Sequence, residues 1–272
     1  MKENNIIRKF NIILPEKNPF EIDENFCSIR RSWDWFFEMN SYEVKKQTLK
    51  EFDKLIESVV NNRDIIEEIF SSTMIDLANI GVAIDQQLHS FLISQYSRMI
   101  KTSKIIQDLI IEGSYIESKA LLRTNLERGI LINFFLFNPE KLNLYYEFKK
   151  KNKRTREFSV KNMVAKIGKD YRFYSYLCKF VHAENHLNDL MDLEIKGDTW
   201  NFLRPYNYFE GGESVALLAE DSNVLIEAFY YIRRYIEAIL PKNAPKELKS
   251  ILEKTKSVKL IKLKDEKYEN TN

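Results

Sequence analysis

The stretch Gly113-Ser-Tyr-Ile-Glu-Ser-Lys-Ala-Leu-Leu-Arg-Thr-Asn-Leu-Glu-Arg-Gly-Ile-Leu-Ile-Asn-Phe-Phe-Leu-Phe137 constrains the fold most. Wound as an α-helix, it brings Ile116, Ala120, Glu127, Ile130 and Phe134 within about 60° of Arg123. The first turns place Ser118, Thr124, Asn125 and Arg128 on the opposite side. Arg123 and Glu127, spaced i and i+4, are therefore expected on the apolar face, where each charge needs the other because an unpaired buried charge is very costly. From Ile130 onward the segment is apolar nearly all round, which predicts a helix through the middle of the core. Gly113-Ser114 marks its start, and Asn138-Pro139 its end, since proline cannot continue a helix and disfavours it in the preceding residue.

The rest of the chain predicts an all-α fold. Seven glycines and six prolines in 272 residues are few for a protein rich in tight turns. Long periodic segments dominate instead: Val44, Leu49, Phe52, Leu55, Ile56, Val59, Val60 and Ile66, then Ile75, Leu77, Ile80, Ile84, Leu88, Leu92, Tyr96, Ile100 and Ile105. This length suggests an up-and-down pair or a bent helical hairpin. Further helical pieces are expected at 140–151, 160–168 and 170–192, and a final long helix over Glu213 to Leu240, stopped by Pro241. Around Lys196-Gly-Asp198 the period shortens, and 193–203 reads as a β-hairpin. The domain reading is an N-terminal arm with an aromatic anchor (Ser32 to Glu38) over 1–40, a mostly antiparallel helical bundle over 41–245, and a basic tail over 246–272.

Net charge is +2, so no global field points to nucleic acid or membrane. Two cysteines, Cys27 and Cys178, make neither a disulfide framework nor a cysteine-based zinc site, which fits a reducing compartment. The first fifteen residues form a poor signal peptide, and the longest apolar run, Ile130 to Phe137, is far short of a membrane span. The expectation is a cytoplasmic protein with no membrane partner. Phosphate loops, dinucleotide fingerprints and nucleophile elbows do not occur, which argues against ATPases, dinucleotide enzymes and common hydrolases.

A second informative stretch is Tyr171-Arg-Phe-Tyr-Ser-Tyr-Leu-Cys-Lys-Phe-Val-His-Ala-Glu-Asn-His186. On a helix Tyr171, Ser175, Cys178, His182 and His186 share one face, and that stripe is expected to meet Arg123 and Glu127 across a helix–helix contact. Three readings fit the resulting cluster. It is a buried hydrogen-bonded network, with His182 satisfied by Glu127 or Tyr171. Or His182 acts as general base or acid, with Arg123 or Lys179 stabilising a phosphate-like transition state. Or His182 and His186 hold a metal with Glu127 or Asp189, although the spacing is not that of the His-Glu-x-x-His metalloproteases. The candidate catalytic set is His182, Arg123, Glu127 and Lys179, with no metal and no cofactor assigned.

The pattern Gly-x-Tyr-x-x-(Ser/Ala)-x-x-Leu-Leu-Arg-x-x-x-Glu at 113–127, followed by (Phe/Tyr)-Val-His at 180–182, resembles a broad group of bacterial helical proteins. That group is similar in outline to HEPN-type helical domains, and the resemblance covers roughly residues 75–240. It implies a helical domain that serves in toxin–antitoxin or phage-defence systems as a metal-independent ribonuclease, often paired as a homodimer or with a cognate antitoxin or defence-system protein. HEPN ribonucleases carry an arginine four to six residues before a histidine; no histidine here has one. The run of Lys149, Lys150, Lys151, Lys153, Arg154 and Arg156 contains no acid and is the candidate RNA-binding segment. Two functions are therefore expected to compete: an RNA-directed effector, and a non-enzymatic module that binds a partner protein or itself. Exposure of the cluster separates them.

Overall fold

The computed structural model describes residues 26–79, 85–153, 155–181, 193–196, 199–202, 210–240, 246–254 and 258–262; over 26–41, 76–79, 193–196 and 199–202, and at 179, 247, 248 and 251, it describes the backbone alone. These residues are overwhelmingly helical, and the fold is all-α. The helices are α1 (Phe26–Asn79), α2 (Gln86–Ile111), α3 (Tyr115–Phe137), α4 (Leu142–Lys150), α5 (Val160–Lys166), α6 (Arg172–Val181), α7 (Gly211–Ile239) and α8 (Lys246–Lys254), with a 3-10 turn at Pro139–Lys141. The aromatic segment Ser32 to Glu38 belongs to α1, which is continuous across position 40. The backbone of β1 (Leu193–Lys196) lies antiparallel to that of β2 (Thr199–Phe202), Leu193 opposite Phe202 and Lys196 opposite Thr199. Its turn, 197–198, and its flanks, 182–192 and 203–209, lie outside the described residues. No helix among the described residues is long and apolar enough to cross a membrane.

Local chemistry sets the helix ends. Asp85 caps α2 by accepting from the backbone N–H groups of Gln87 and Leu88 at 2.9 and 3.1 Å. At the end of α2, Gly113 takes φ +80°, its N–H meets Ile110 O at 3.0 Å, and Ser114 N–H reaches back to Leu109 O at 2.8 Å. That pair of bonds closes the last turn in a left-handed cap, a conformation glycine adopts without steric cost. Asn152, at φ +50°, ends α4 the same way: its N–H meets Lys149 O at 3.1 Å and Lys153 N–H meets Phe148 O at 2.9 Å. The bend in α1 falls at Phe52 (φ −124°, ψ 25°), where the Asp53 carboxylate takes the Lys54 N–H at 2.7 Å and competes with the helix's own acceptor.

Helix α3 packs against α2, α5, α6 and α7, and α7 packs against α1, α2 and α3. Tyr96, Phe91, Leu122, Ile132, Phe134 and Phe135 are sealed in the core between them. The apolar second half of α3 thus runs through the interior, as its composition predicts. Its first half is turned differently from the expectation. Ser118 and Asn125, assigned to the wet side, are 0% and 1% exposed, whereas the Arg123 and Glu127 side chains keep 18% and 28% of their surface. The reason is satisfaction. Ser118 Oγ bonds Tyr115 O at 2.8 Å, and Asn125 gives Nδ2 to Met99 O at 3.1 Å and accepts Arg128 Nη1 at 3.1 Å. A small polar group whose bonds are met is buried at little cost, while a charged pair loses less by lying at the edge.

A second polar network joins the other core helices. Asp221 of α7 is completely buried; its Oδ2 accepts Ser103 Oγ at 2.5 Å and Gln107 Nε2 at 3.1 Å, both from α2. Gln107 Oε1 in turn accepts Arg63 Nη1 of α1 at 2.5 Å. Burial pushes the Asp221 carboxyl up to about 7, against the opposing pull of Ser103, Gln107 and the Arg63 charge. Its ordinary value is 3.8, so between about pH 4 and about pH 7 the native state holds a proton that the unfolded chain releases. Stability is then expected to fall as pH rises through that window, by up to about 1.4 kcal/mol per unit, and to level off above it. Denaturant unfolding from about pH 5 to about pH 8 should show that fall in the native protein and lose this component in Asp221→Asn. Identical pH profiles for the two proteins would contradict the assignment.

Candidate functional site

The α3–α6 contact brings Arg123 and Glu127 against Tyr174 and Cys178. Arg123 Nη2 donates to Glu127 Oε1 at 2.9 Å and to the Tyr174 hydroxyl at 2.8 Å, and Arg123 Nε donates to Cys178 Sγ at 3.3 Å. Tyr174 O–H donates to the same Glu127 oxygen in a very short bond. The guanidinium also lies 5.2 Å from the centre of the Tyr174 ring, and Tyr171 packs on Tyr174 with ring centres 5.3 Å apart. The i,i+4 pairing and the meeting of the two helices are as the spacing predicts.

The electrostatics follow from these contacts. Burial disfavours the Arg123 charge, but Cys178, Glu127 and Tyr174 outweigh it, and its pKa is raised. The Tyr174 hydroxyl is held far above the ordinary tyrosine value, first by burial and then by the hydrogen bond and charge of Glu127. Tyr171 is also raised, mainly by burial. Arginine stays cationic and Tyr174 stays protonated across physiological pH. The cluster offers a fixed positive charge and a hydroxyl hydrogen bonded to a carboxylate, all in a mostly buried helix seam.

Tyr174 is the residue that sequence reasoning passed over. It lies four residues before Cys178 on one face of α6, and that spacing was the available signal. The predicted stripe through Ser175 is rotated slightly: Ser175 is exposed, and Tyr174 takes the inward position. His182 and His186 lie outside the described residues, as does the side chain of Lys179. Among the described residues no three His, Cys, Asp or Glu side chains converge as metal ligands.

The basic run begins at the end of α4. Lys149, Lys150, Lys151, Lys153 and Arg156 are exposed, while Arg154 lies outside the described residues. Lys149 Nζ sits 5.8 Å from the centre of the Tyr145 ring, which packs on Phe135 and Phe158. The Tyr145 hydroxyl is raised by burial, with smaller contributions from Tyr146 and the Glu127 charge. Tyr145 thus ties the start of the basic run to the aromatic packing of α3 at Phe135. Deeper along α3, Lys119 pairs with Glu213 and lies 4.3 Å from the Phe180 ring centre, while the Tyr115 hydroxyl meets Ser214 Oγ at 2.7 Å. These bonds hold α3, α6 and the start of α7 together beside the cluster.

Comparison of the chain with protein-family models, with curated proteins and with solved structures finds no match.

Tyr174→Phe should destabilise the protein by about 1–2 kcal/mol, since it removes a hydroxyl that serves both Arg123 and Glu127. Difference absorbance between native protein and variant should show no phenolate from Tyr174 at about pH 10, where an ordinary tyrosine is half ionised. A phenolate appearing there, or equal unfolding midpoints, would rule out the buried hydroxyl–carboxylate bond.

Proposed function

We propose that the chain is an RNA-directed effector of bacterial stress or phage defence. In this reading it is a mostly antiparallel helical bundle, HEPN-like in outline, with an N-terminal arm and a β-hairpin inserted between α6 and α7. One observation supports it: Lys149, Lys150, Lys151, Lys153 and Arg156 are exposed at and just after the end of α4, in a chain whose α3–α6 seam holds a mostly buried arginine–carboxylate–tyrosine cluster. The run grips phosphates as a sequence-independent electrostatic footprint, and the cluster presents a permanent charge where a phosphodiester would lie.

If the RNA is cleaved, the chemistry needs a base for the attacking hydroxyl, an acid for the leaving oxygen and a cation for the developing charge. His182, four residues beyond Cys178 in the chain, supplies the proton transfers. Arg123 and Lys179 supply the charge, and Glu127 with Tyr174 positions Arg123. Pairing with a second copy or with a cognate antitoxin or defence-system protein, and residence in the cytoplasm, belong to the same proposal.

A second reading has its own observation. Arg123 Nε and Nη2 are already committed to Cys178, Glu127 and Tyr174, as expected of a network that locks α6 onto α3. The protein would then be a non-enzymatic binding module.

Expression in a bacterial host separates the two. On the ribonuclease reading the intact chain arrests growth with RNA fragmentation, and His182→Ala loses both while melting at the same temperature as the parent. Intact RNA in both strains, with an early-melting variant, makes the cluster structural. Purified protein should also bind RNA with an affinity that falls with salt. Each of Lys149→Ala, Lys150→Ala and Lys153→Ala should reduce the logarithmic salt slope by about 0.7 on a single strand for every phosphate contact removed.

A further inference from the structure

Helices α3 and α7 carry a row of aromatic rings on their outer side that the core does not use. Phe137, the last residue of α3, is 67% exposed, and Tyr230 is 51% exposed. Phe137 meets Tyr231 with ring centres 6.3 Å apart, and Tyr231 meets Tyr230 at 5.8 Å, so three rings run in sequence from the end of α3 along α7. Isolated surface rings need no explanation, whereas a contiguous row half open to water does.

Cations accompany the row. Lys169 Nζ lies 5.3 Å from the Tyr231 ring centre and the Arg234 guanidinium 5.9 Å from that of Tyr230. One turn before Phe137, Phe134 has Lys166 Nζ at 5.7 Å from its ring centre. Lys166 and Lys141 converge on Glu157, the residue that follows Arg156. Lys169 pairs with Glu227. Lys141 and Lys166 thus stand beside the end of the Lys149–Arg156 run through Glu157, and Lys169 and Arg234 accompany the Tyr231 and Tyr230 rings.

We propose that this row is a base-stacking platform, and that the RNA bound by this chain is single-stranded, its backbone following the cations from the Lys149–Arg156 run. The inference rests on the RNA-directed reading above and names its substrate class. Aromatic faces are of use only to bases that are not already stacked and paired, because a duplex presents phosphates and groove edges. Alternation of rings with lysine and arginine suits a strand that offers a base and a phosphate at every step.

The test uses the full chain, a labelled single-stranded uridine oligomer of about 12 nucleotides and an RNA duplex of equal length, read by fluorescence anisotropy. The double variant Phe137→Ala/Tyr230→Ala should weaken single-strand binding by about tenfold per ring, keep the salt slope, and leave duplex binding unchanged. A Lys149→Glu/Lys150→Glu/Lys153→Glu variant should weaken both ligands and lower the slope. Loss of binding in the charge variant with none in the ring variant overturns the platform and leaves the RNA-directed reading standing. No binding by the parent protein overturns both. Conversion of a dimer to a monomer by the ring variant, with RNA affinity intact, assigns the rings to a second copy and also overturns the platform. Should the alanine variant melt early, Phe137→Leu/Tyr230→Leu keeps the apolar bulk, removes the rings and is read in the same assay.

Discussion

Asp221 is the constraint around which the helices are arranged. A carboxyl with no access to water must be met by polar groups from whatever surrounds it, and here those come from α2 directly and from α1 through Gln107. Asn125 of α3 adds a further pull on the same carboxyl. Apolar side chains tolerate small slips of one helix along another, because dispersion and water exclusion are non-directional. Hydrogen bonds to a buried carboxyl do not, since a shift that breaks one strands a polar group in a dry interior. The network therefore sets the register of α1, α2, α3 and α7, and the large aromatic side chains fill the space that this register leaves.

Helix α3 works on two sides at once. Its inward side supplies Leu122, Asn125, Ile132 and Phe135 to the core, and the side toward α6 presents Arg123 and Glu127. Because α3 is held by four neighbours, the arginine is presented on a rigid element, and its orientation is fixed by Glu127, Tyr174 and Cys178. The same bonds serve either role proposed for the cluster. A network that locks α6 to α3 and a network that aims a guanidinium are built from identical parts, and they differ in what reaches the open side.

The charge distribution matters more than the total. The chain is nearly balanced overall, yet the end of α4 and the turn after it gather cations on one edge. The left-handed cap at Asn152 ends the helix abruptly there, so the lysines project from a closed helix end and the turn after it, and Lys149 still packs over Tyr145. Folding of the chain, rather than net charge, creates the local positive field.

Much of the fold was legible in the sequence. Gly113 and Pro139 bound α3 because their backbone chemistry is local: one adopts a left-handed turn freely, and the other lacks the N–H a helix needs. The Arg123–Glu127 pair followed from a spacing of four, and the apolar run from Ile130 to Phe135 was expected inside, although Phe137 at its end is exposed. The tertiary structure alone decided which side of the first half of α3 faces inward. A helical wheel ranks Ser118 and Asn125 by polarity, but their burial depends on acceptors and donors delivered by Tyr115, Met99 and Arg128. It alone made Asp221 a core residue, since its partners lie more than a hundred positions away in the chain. It likewise chose Tyr174 over Ser175 as the group that meets Arg123, a rotation of part of a turn that no local preference encodes. Helix boundaries depend on neighbours in sequence and can be read there; the identity of a buried polar partner depends on neighbours in space.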